Sequence, residues 1–162
     1  MDSPPVQFRP LSSFSPKQRL NCLQAIKLIE RKTFPTNEAL DLDNELKKRN
    51  TVLLLAQGEQ SVQADVVAYL IYARNRRLAL LHKLCVVESF RRRGLAKLML
   101  HHLHQTLLDQ GCTQVQLWVD EARAPAKCLY DACGFEVVQC VENYYGPGRT
   151  GLKMILALER PT

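Results

Sequence analysis

No apolar run in these 162 residues approaches a membrane span, which takes about 20 residues. A spanning helix is therefore excluded on length, and no membrane partner is expected. The start of the chain, Met1-Asp2-Ser3-Pro4-Pro5, carries no basic segment followed by an apolar one, so no secretory leader is read there and a cytoplasmic location is expected. Residues 1–4 read as a loose end. None of the six cysteines (Cys22, Cys85, Cys112, Cys128, Cys133 and Cys140) stands in a C-x-x-C pair. That leaves zinc and redox motifs without support, and the cysteines read as reduced thiols in apolar surroundings. Repeats, low-complexity stretches and linkers are absent too. One domain over residues 1–162 is expected, with 46% hydrophobic residues to build its core.

What is present begins with charge. The net charge is +6 and the pI about 9.1, which first suggests nucleic acid. The basic residues are scattered, however, and cluster only at Arg74/Arg76/Arg77 and at Arg91 to Arg93. Basic and aromatic residues do not interleave, and no nucleic-acid motif is recognisable. A phosphate-rich small molecule or an acidic partner explains the charge as well.

Hydrophobic spacing places the elements. Val6 to Leu11 reads as a strand, and Ser15-Pro16 with Gln18 as a capped helix start. A helix over about 16–32 follows, with Leu20, Leu23, Ile26 and Ile29 on one side. Phe34-Pro35-Thr36-Asn37 breaks it, and a second helix is expected over about 37–48. Strands are expected at Thr51 to Ala56, Asp65 to Tyr72 and about 78–87, with turns at Gly58-Glu59-Gln60-Ser61 and at Asn75. A long helix over Gly94 to Gln110 buries Leu95, Leu98, Met99, Leu103 and Leu107, and Gly111 closes it. Its His101, His102 and His104 read as solvated rather than as metal ligands, and no metal is expected. Val115 to Val119, Phe135 to Val141 and Leu152 to Leu158 are strands, about 124–132 is a helix, and Gly146-Pro147-Gly148 is a loop. This order predicts an α/β chain of the α+β type: a mixed, largely antiparallel central sheet of about seven strands with helices on both faces.

The densest chemical signal is Arg91-Arg92-Arg93-Gly94-Leu95-Ala96-Lys97, between an apolar strand and an amphipathic helix. Backbone N–H groups at a helix start lack intrahelical acceptors and attract anions. Gly94 permits close approach, Ala96 keeps the next turn open, and the arginines match phosphate. The segment reads as a pyrophosphate site. Arg91-x-x-Gly94-x-Ala96 resembles the Q/R-x-x-G-x-G/A signature of the GNAT superfamily of N-acetyltransferases. Leu84-x-Val86 lies where that family's fourth strand faces the pantetheine arm. Ala126-x-x-Leu129-Tyr130-x-x-x-Gly134-Phe135 resembles its second signature. The resemblance covers roughly residues 5–158.

It implies that acetyl-coenzyme A is the cofactor, held by Leu84, Cys85, Val86, Arg91 to Lys97, Arg123 and Ala126. The oxyanion would meet a backbone N–H of Val86 or its neighbour. Tyr130 falls where the family places a general acid near the coenzyme sulfur. A phenol of pKa about 10 is protonated at neutral pH. His82 interrupts an apolar strand and shares a face with Leu84 and Val86. By itself it reads as a core histidine, but it matches the catalytic histidine of the arylalkylamine branch and is the candidate base. The second histidine of that branch falls at Leu80. The fifth-strand base of many protein N-terminal acetyltransferases falls at Trp118, and the usual asparagine at Arg123. Cys85 is a poor nucleophile, so direct attack in a ternary complex is expected.

Two segments address the acceptor amine. Phe34-Pro35 opens a stretch that resembles F-P-x-x-E-A of arylalkylamine acetyltransferases, though a Pro-broken helix joint would look the same. Asn143-Tyr144-Tyr145, expected in a loop, resembles the N-Y-Y of protein N-terminal acetyltransferases, including those acting on ribosomal proteins. There the tyrosines hold the peptide backbone, although such a pair could equally pack a hairpin. A protein or peptide N-terminus is the leading acceptor and a small aralkylamine or polyamine the second, with Glu38, Asp41, Asp43 and Glu45 available to a cationic amine. A non-catalytic acyl-coenzyme-A-binding module stays open. A monomer or weak dimer is expected.

Overall fold

The computed structural model describes residues 6–35, 38–58 and 65–159. Strands β1 (Val6–Pro10), β2 (Thr51–Gly58), β3 (Val66–Asn75), β4 (Leu78–Val86), β5 (Gln114–Asp120), β6 (Glu136–Gly146) and β7 (Arg149–Ala157) form one sheet in the order β1-β2-β3-β4-β5-β7-β6. Helices α1 (Pro16–Thr33), α2 (Leu42–Lys47), α3 (Leu95–Asp109) and α4 (Ala124–Ala132) accompany it. β1–β2, β5–β7 and β6–β7 are antiparallel, whereas β4–β5 is parallel, with pairs running from Leu78↔Gln114 to Leu81↔Leu117. The next residues along these two strands are His82 and Trp118. The expected mixed, mostly antiparallel seven-stranded sheet is the one found.

The chain divides into two compact units, Met1–Tyr72 with Lys83–Met99, and Ala73–His82 with Leu100–Thr162. In the first unit, Phe14, Cys22, Ile26, Leu42, Leu53, Leu55, Tyr69, Ile71 and Cys85 are buried in one core. In the second, Ala79, Leu81, Leu103, Leu107, Val115, Leu117, Phe135 and Met154 are buried.

Local chemistry explains most boundaries. Ser15 caps α1 reciprocally: its Oγ accepts from Gln18 N–H at 3.3 Å, and its own N–H donates to Gln18 Oε1 at 3.2 Å. At the end of α3, Gly111 adopts φ +84°, with Gly111 N–H on Leu108 O and Cys112 N–H on Leu107 O, the paired bonds of a Schellman closure.

Several expectations need correction. On α1 the buried positions are Cys22, Ile26 and Glu30, and Leu20 is 57% exposed. Two residues turn a helix by about 200°, so Leu20 faces away from the Cys22 line. On α3 Leu98 is exposed and Leu100 takes its place in the core. The second helix is shorter than expected: Asp41 accepts from Asn44 N–H and starts it only at Leu42, and Leu40 N–H bonds to Glu30 instead. Asn75 ends β3, and the turn is Arg76-Arg77, with Arg76 left-handed at φ 58°. The expected turn at residues 58–61 falls largely outside the described residues. His104 is half-buried rather than solvated: its ring lies 5.9 Å from that of Phe135, and its Nε2 has no hydrogen-bond partner among the described residues. Asn143, Tyr144 and Tyr145 belong to β6, not to a loop. The reversal is the two-residue Pro147-Gly148 turn, with Gly148 at φ +74°, as a proline-glycine turn requires.

Candidate functional site

The basic turn opens α3. Leu98 N–H donates to Gly94 O at 3.1 Å, which makes Gly94 the cap and leaves the N–H groups of Leu95, Ala96 and Lys97 without acceptors one turn back. Arg92 and Gly94 are both left-handed, at φ 65° and 74°. A Cβ at Gly94 would meet nothing within 4 Å, so the approach to this helix end is open. Arg91, Arg92, Arg93 and Lys97 are exposed. Arg91 Nε braces the turn on Val86 O at 2.9 Å, and the Arg93 guanidinium lies over the Phe90 ring. Beside the turn lies a cleft of about 720 Å³, lined by Ile29, Lys32, Thr33, Val87, Glu88, Ser89 and Arg91. Exposed cations, open backbone donors and an uncluttered glycine suit a pyrophosphate.

The bend at Phe34-Pro35 is fastened by a buried carboxylate. Glu30 of α1 is 2% exposed. Tyr69 O–H donates to its Oε1; its Oε2 accepts from Lys83 Nζ at 2.8 Å and from Leu40 N–H at 3.0 Å. Lys83 also donates to Glu38 O and stands 3.6 Å over the centre of the Phe34 ring. Side chains of α1 and β4 thus hold Leu40, Glu38 and Phe34. Burial, then the hydrogen bond to Glu30, raises the Tyr69 pKa. Cys85, also buried, is held as a thiol mainly by desolvation. Three of the four acidic residues near the bend are already engaged: Asp43 pairs with Lys27, Glu45 with Lys48, and Asp41 caps α2.

In the second unit, β4 carries His82 in an exposed position. Tyr130, on α4, is buried, with its ring edge-on to Phe135. Burial, then the neighbouring Tyr145, pushes its phenol up to about 12. Arg123 stands exposed at the cap of α4, and Ala126 is half-buried one turn in. Trp118 stacks on Tyr144 with ring centres 4.1 Å apart and planes at 8°. Tyr144 meets Tyr145 edge-on at 4.9 Å, and Arg149 lies over Tyr145. Arg149 in turn bonds the buried Asp120 through Nε at 2.9 Å and Nη2 at 2.8 Å. The Ala122 N–H, then Arg149, hold the Asp120 carboxyl below its usual range against the opposing effect of burial. Burial raises the Tyr145 phenol as well, to about 12.

Sequence reading missed Glu30 and the Asp120–Arg149 pair. The signal for Glu30 was there: it falls four residues after Ile26, on the buried line of α1. Asp120 ends an apolar strand and carried no comparable mark.

The comparisons fit this geometry. Residues 21–135 match the model of the acetyltransferase (GNAT) family. The chain belongs to that family, whose members take an acetyl group from acetyl-coenzyme A. Over 67 residues it is 36% identical to the [ribosomal protein bS18]-alanine N-acetyltransferase of Salmonella typhimurium, covering 41% of this chain and 45% of that protein. The chain spans less than half the length of the curated relatives it matches. Its fold is similar to the ribosomal-protein-S18-alanine N-acetyltransferase of Escherichia coli, with TM-score 0.77 and 19% identity over 97% of this chain and 96% of that one. It is also similar to Arabidopsis thaliana NAA60 in complex with acetyl-CoA, with TM-score 0.76 and 20% identity over 95% and 99%.

Proposed function

We propose that this chain is an N-acetyltransferase whose acceptor is the α-amino group of a protein or peptide N-terminus. The observation that carries this reading is the ordered aromatic group Trp118–Tyr144–Tyr145 on β5 and β6. The sequence resemblance gives that tyrosine pair the peptide backbone to hold. Two similar proteins, the Salmonella relative and the Escherichia coli structure, are named for acetylating a ribosomal-protein alanine. The small-amine alternative loses ground, because three of the four carboxylates near the bend, Asp43, Glu45 and Asp41, already serve Lys27, Lys48 and the α2 cap.

In this reading the turn from Arg91 to Lys97 holds the coenzyme phosphates, with Arg123 and Ala126 at the start of α4, and acetyl-coenzyme A supplies the acetyl group. Val87 N–H is taken by Val67 O at 2.9 Å, which removes Val87 as the oxyanion donor and favours the backbone of Val86. Cys85, a buried and protonated thiol, forms no acyl-enzyme, so the amine attacks directly. His82 takes the proton from the amine. An α-amino group has pKa about 8 and an alkylamine about 10, so the peptide N-terminus costs roughly 3 kcal/mol less to deprotonate and suits a single exposed histidine. Tyr130 stays protonated far above neutral pH and donates to the departing thiolate.

The test is release of coenzyme A from acetyl-coenzyme A against short peptides of varied N-terminus, beside tryptamine, serotonin and spermidine. Turnover confined to peptides is expected; turnover confined to amines would transfer the chain to the small-amine branch. His82→Ala and Tyr130→Phe should each lower kcat by roughly a hundredfold or more with coenzyme binding kept. Undiminished rates in both would remove these residues from the chemistry.

A further inference from the structure

Tyr144 lies directly against a residue with no side chain. Gly151 of β7 pairs with Asp120 of β5 on one side and with Val141 of β6 on the other. A Cβ added at Gly151 would sit 2.7 Å from Cβ, Cγ and Cδ1 of Tyr144, closer than real atoms come. One of the three is the Tyr144 Cβ, which is fixed to the backbone, so rotating the ring does not relieve the clash. Gly151 is not in the left-handed region. The position therefore uses the missing side chain, not the backbone freedom, of glycine.

The surroundings fit the same purpose. Between Val141 and Gly146 the register of β6 shifts, Asn143 turns left-handed at φ 59°, and its Oδ1 accepts from Gly148 N–H at 2.8 Å. That kink re-aims the side chain that follows. On β5, Trp118 pairs with Lys153, two residues along β7 from Gly151, so Trp118 and Gly151 share one sheet face. The Tyr144 ring spans the bare position and lies flat on the indole. Even so stacked, Tyr144 is 44% exposed and presents a fixed, amphipathic surface.

We propose that Gly151 is a specificity-determining positioning residue: it seats Tyr144 on Trp118, and the platform so fixed is the wall against which the acceptor peptide lies. The inference rests on the peptide reading above and adds to it the residue that orders the wall before substrate arrives.

Trp118 is the single tryptophan of the chain, so its emission reports the stack. Titrating the native protein with an acetylatable peptide should change that emission saturably, at concentrations near the peptide KM. Gly151→Ala should alter the emission without substrate and raise the peptide KM roughly tenfold or more, the scale at which small misplacements act, while the acetyl-coenzyme A KM stays put. Trp118→Leu, which keeps Gly151, should show the same split and serves if Gly151→Ala does not fold. A peptide KM unchanged in whichever variant folds, or native emission indifferent to saturating peptide, overturns the inference while the peptide reading stands. A native protein that acetylates no peptide overturns both.

Discussion

Two rings separated by Phe135 show how burial sets protonation. The Phe135 ring lies 5.6 Å from Tyr130 and 5.9 Å from His104. Tyr130 loses water and its phenol rises to about 12, so it keeps its proton. His104 loses water and its imidazole falls to about 4, helped by the charge of His101, so it stays neutral. The consequence for His104 is a stability that depends on pH. Its folded pKa lies below the unfolded value of about 6.5, so between these values the unfolded chain binds the proton that the folded one refuses. Stability should therefore be full above pH about 6.5 and fall as the pH drops towards about 4. His104→Gln should flatten that acid slope in urea titrations run across the range. An unchanged slope would assign the acid sensitivity to other groups.

At the scale of elements, a polar tie centred on Glu30 joins α1, β3 and β4 beside Phe34. Lys83 and Glu30 are both largely withdrawn from water, at 14% and 3% side-chain exposure. Removing one partner of such a pair strands the other, at a cost on the order of 3 kcal/mol. Lys83→Met should lower the urea midpoint accordingly and remove the cation from the face of the Phe34 ring. Adding Glu30→Leu should recover much of the loss; a double variant as weak as the single one would mean that the carboxylate matters chiefly to Tyr69 and Leu40. The same tie marks the limit of what the chain discloses before it folds. The cap of α1 and the glycine closing α3 were legible because they depend on neighbours within a turn. Leu20 and Leu98 were misread because both fit a helical stripe whose true centre is set by distant strands. Tyr144 and Tyr145 were assigned to a loop because the proline-glycine turn comes just after them. The stack of Tyr144 on Trp118 depends on a bare position seven residues further on, a relation between strands that spacing alone does not encode. The glycine turn that opens α3 was legible, since its glycine, its arginines and its helix are contiguous.

For the molecule as a whole, a charge of +6 includes an exposed group at Arg91, Arg92 and Arg93. Charges at the surface act over about 10 Å at 0.1 M salt and far less at 1 M. The acetyl-coenzyme A KM should therefore climb several-fold between these conditions, while the KM of an uncharged peptide moves less. Equal salt response of both would show that the phosphates are not held by this cluster. The cysteines carry a consequence of a different kind. None of the six forms a disulfide; Cys128 and Cys140 face solvent, whereas Cys22, Cys85 and Cys112 are buried. A thiol dye would mark the two outer sites at once and reach the inner three only when the chain opens. Cys22 and Cys85 belong to one compact unit and Cys112 to the other. The delay before each inner thiol is labelled is thus a clock for the opening of its own half, built into the native chain without any added probe.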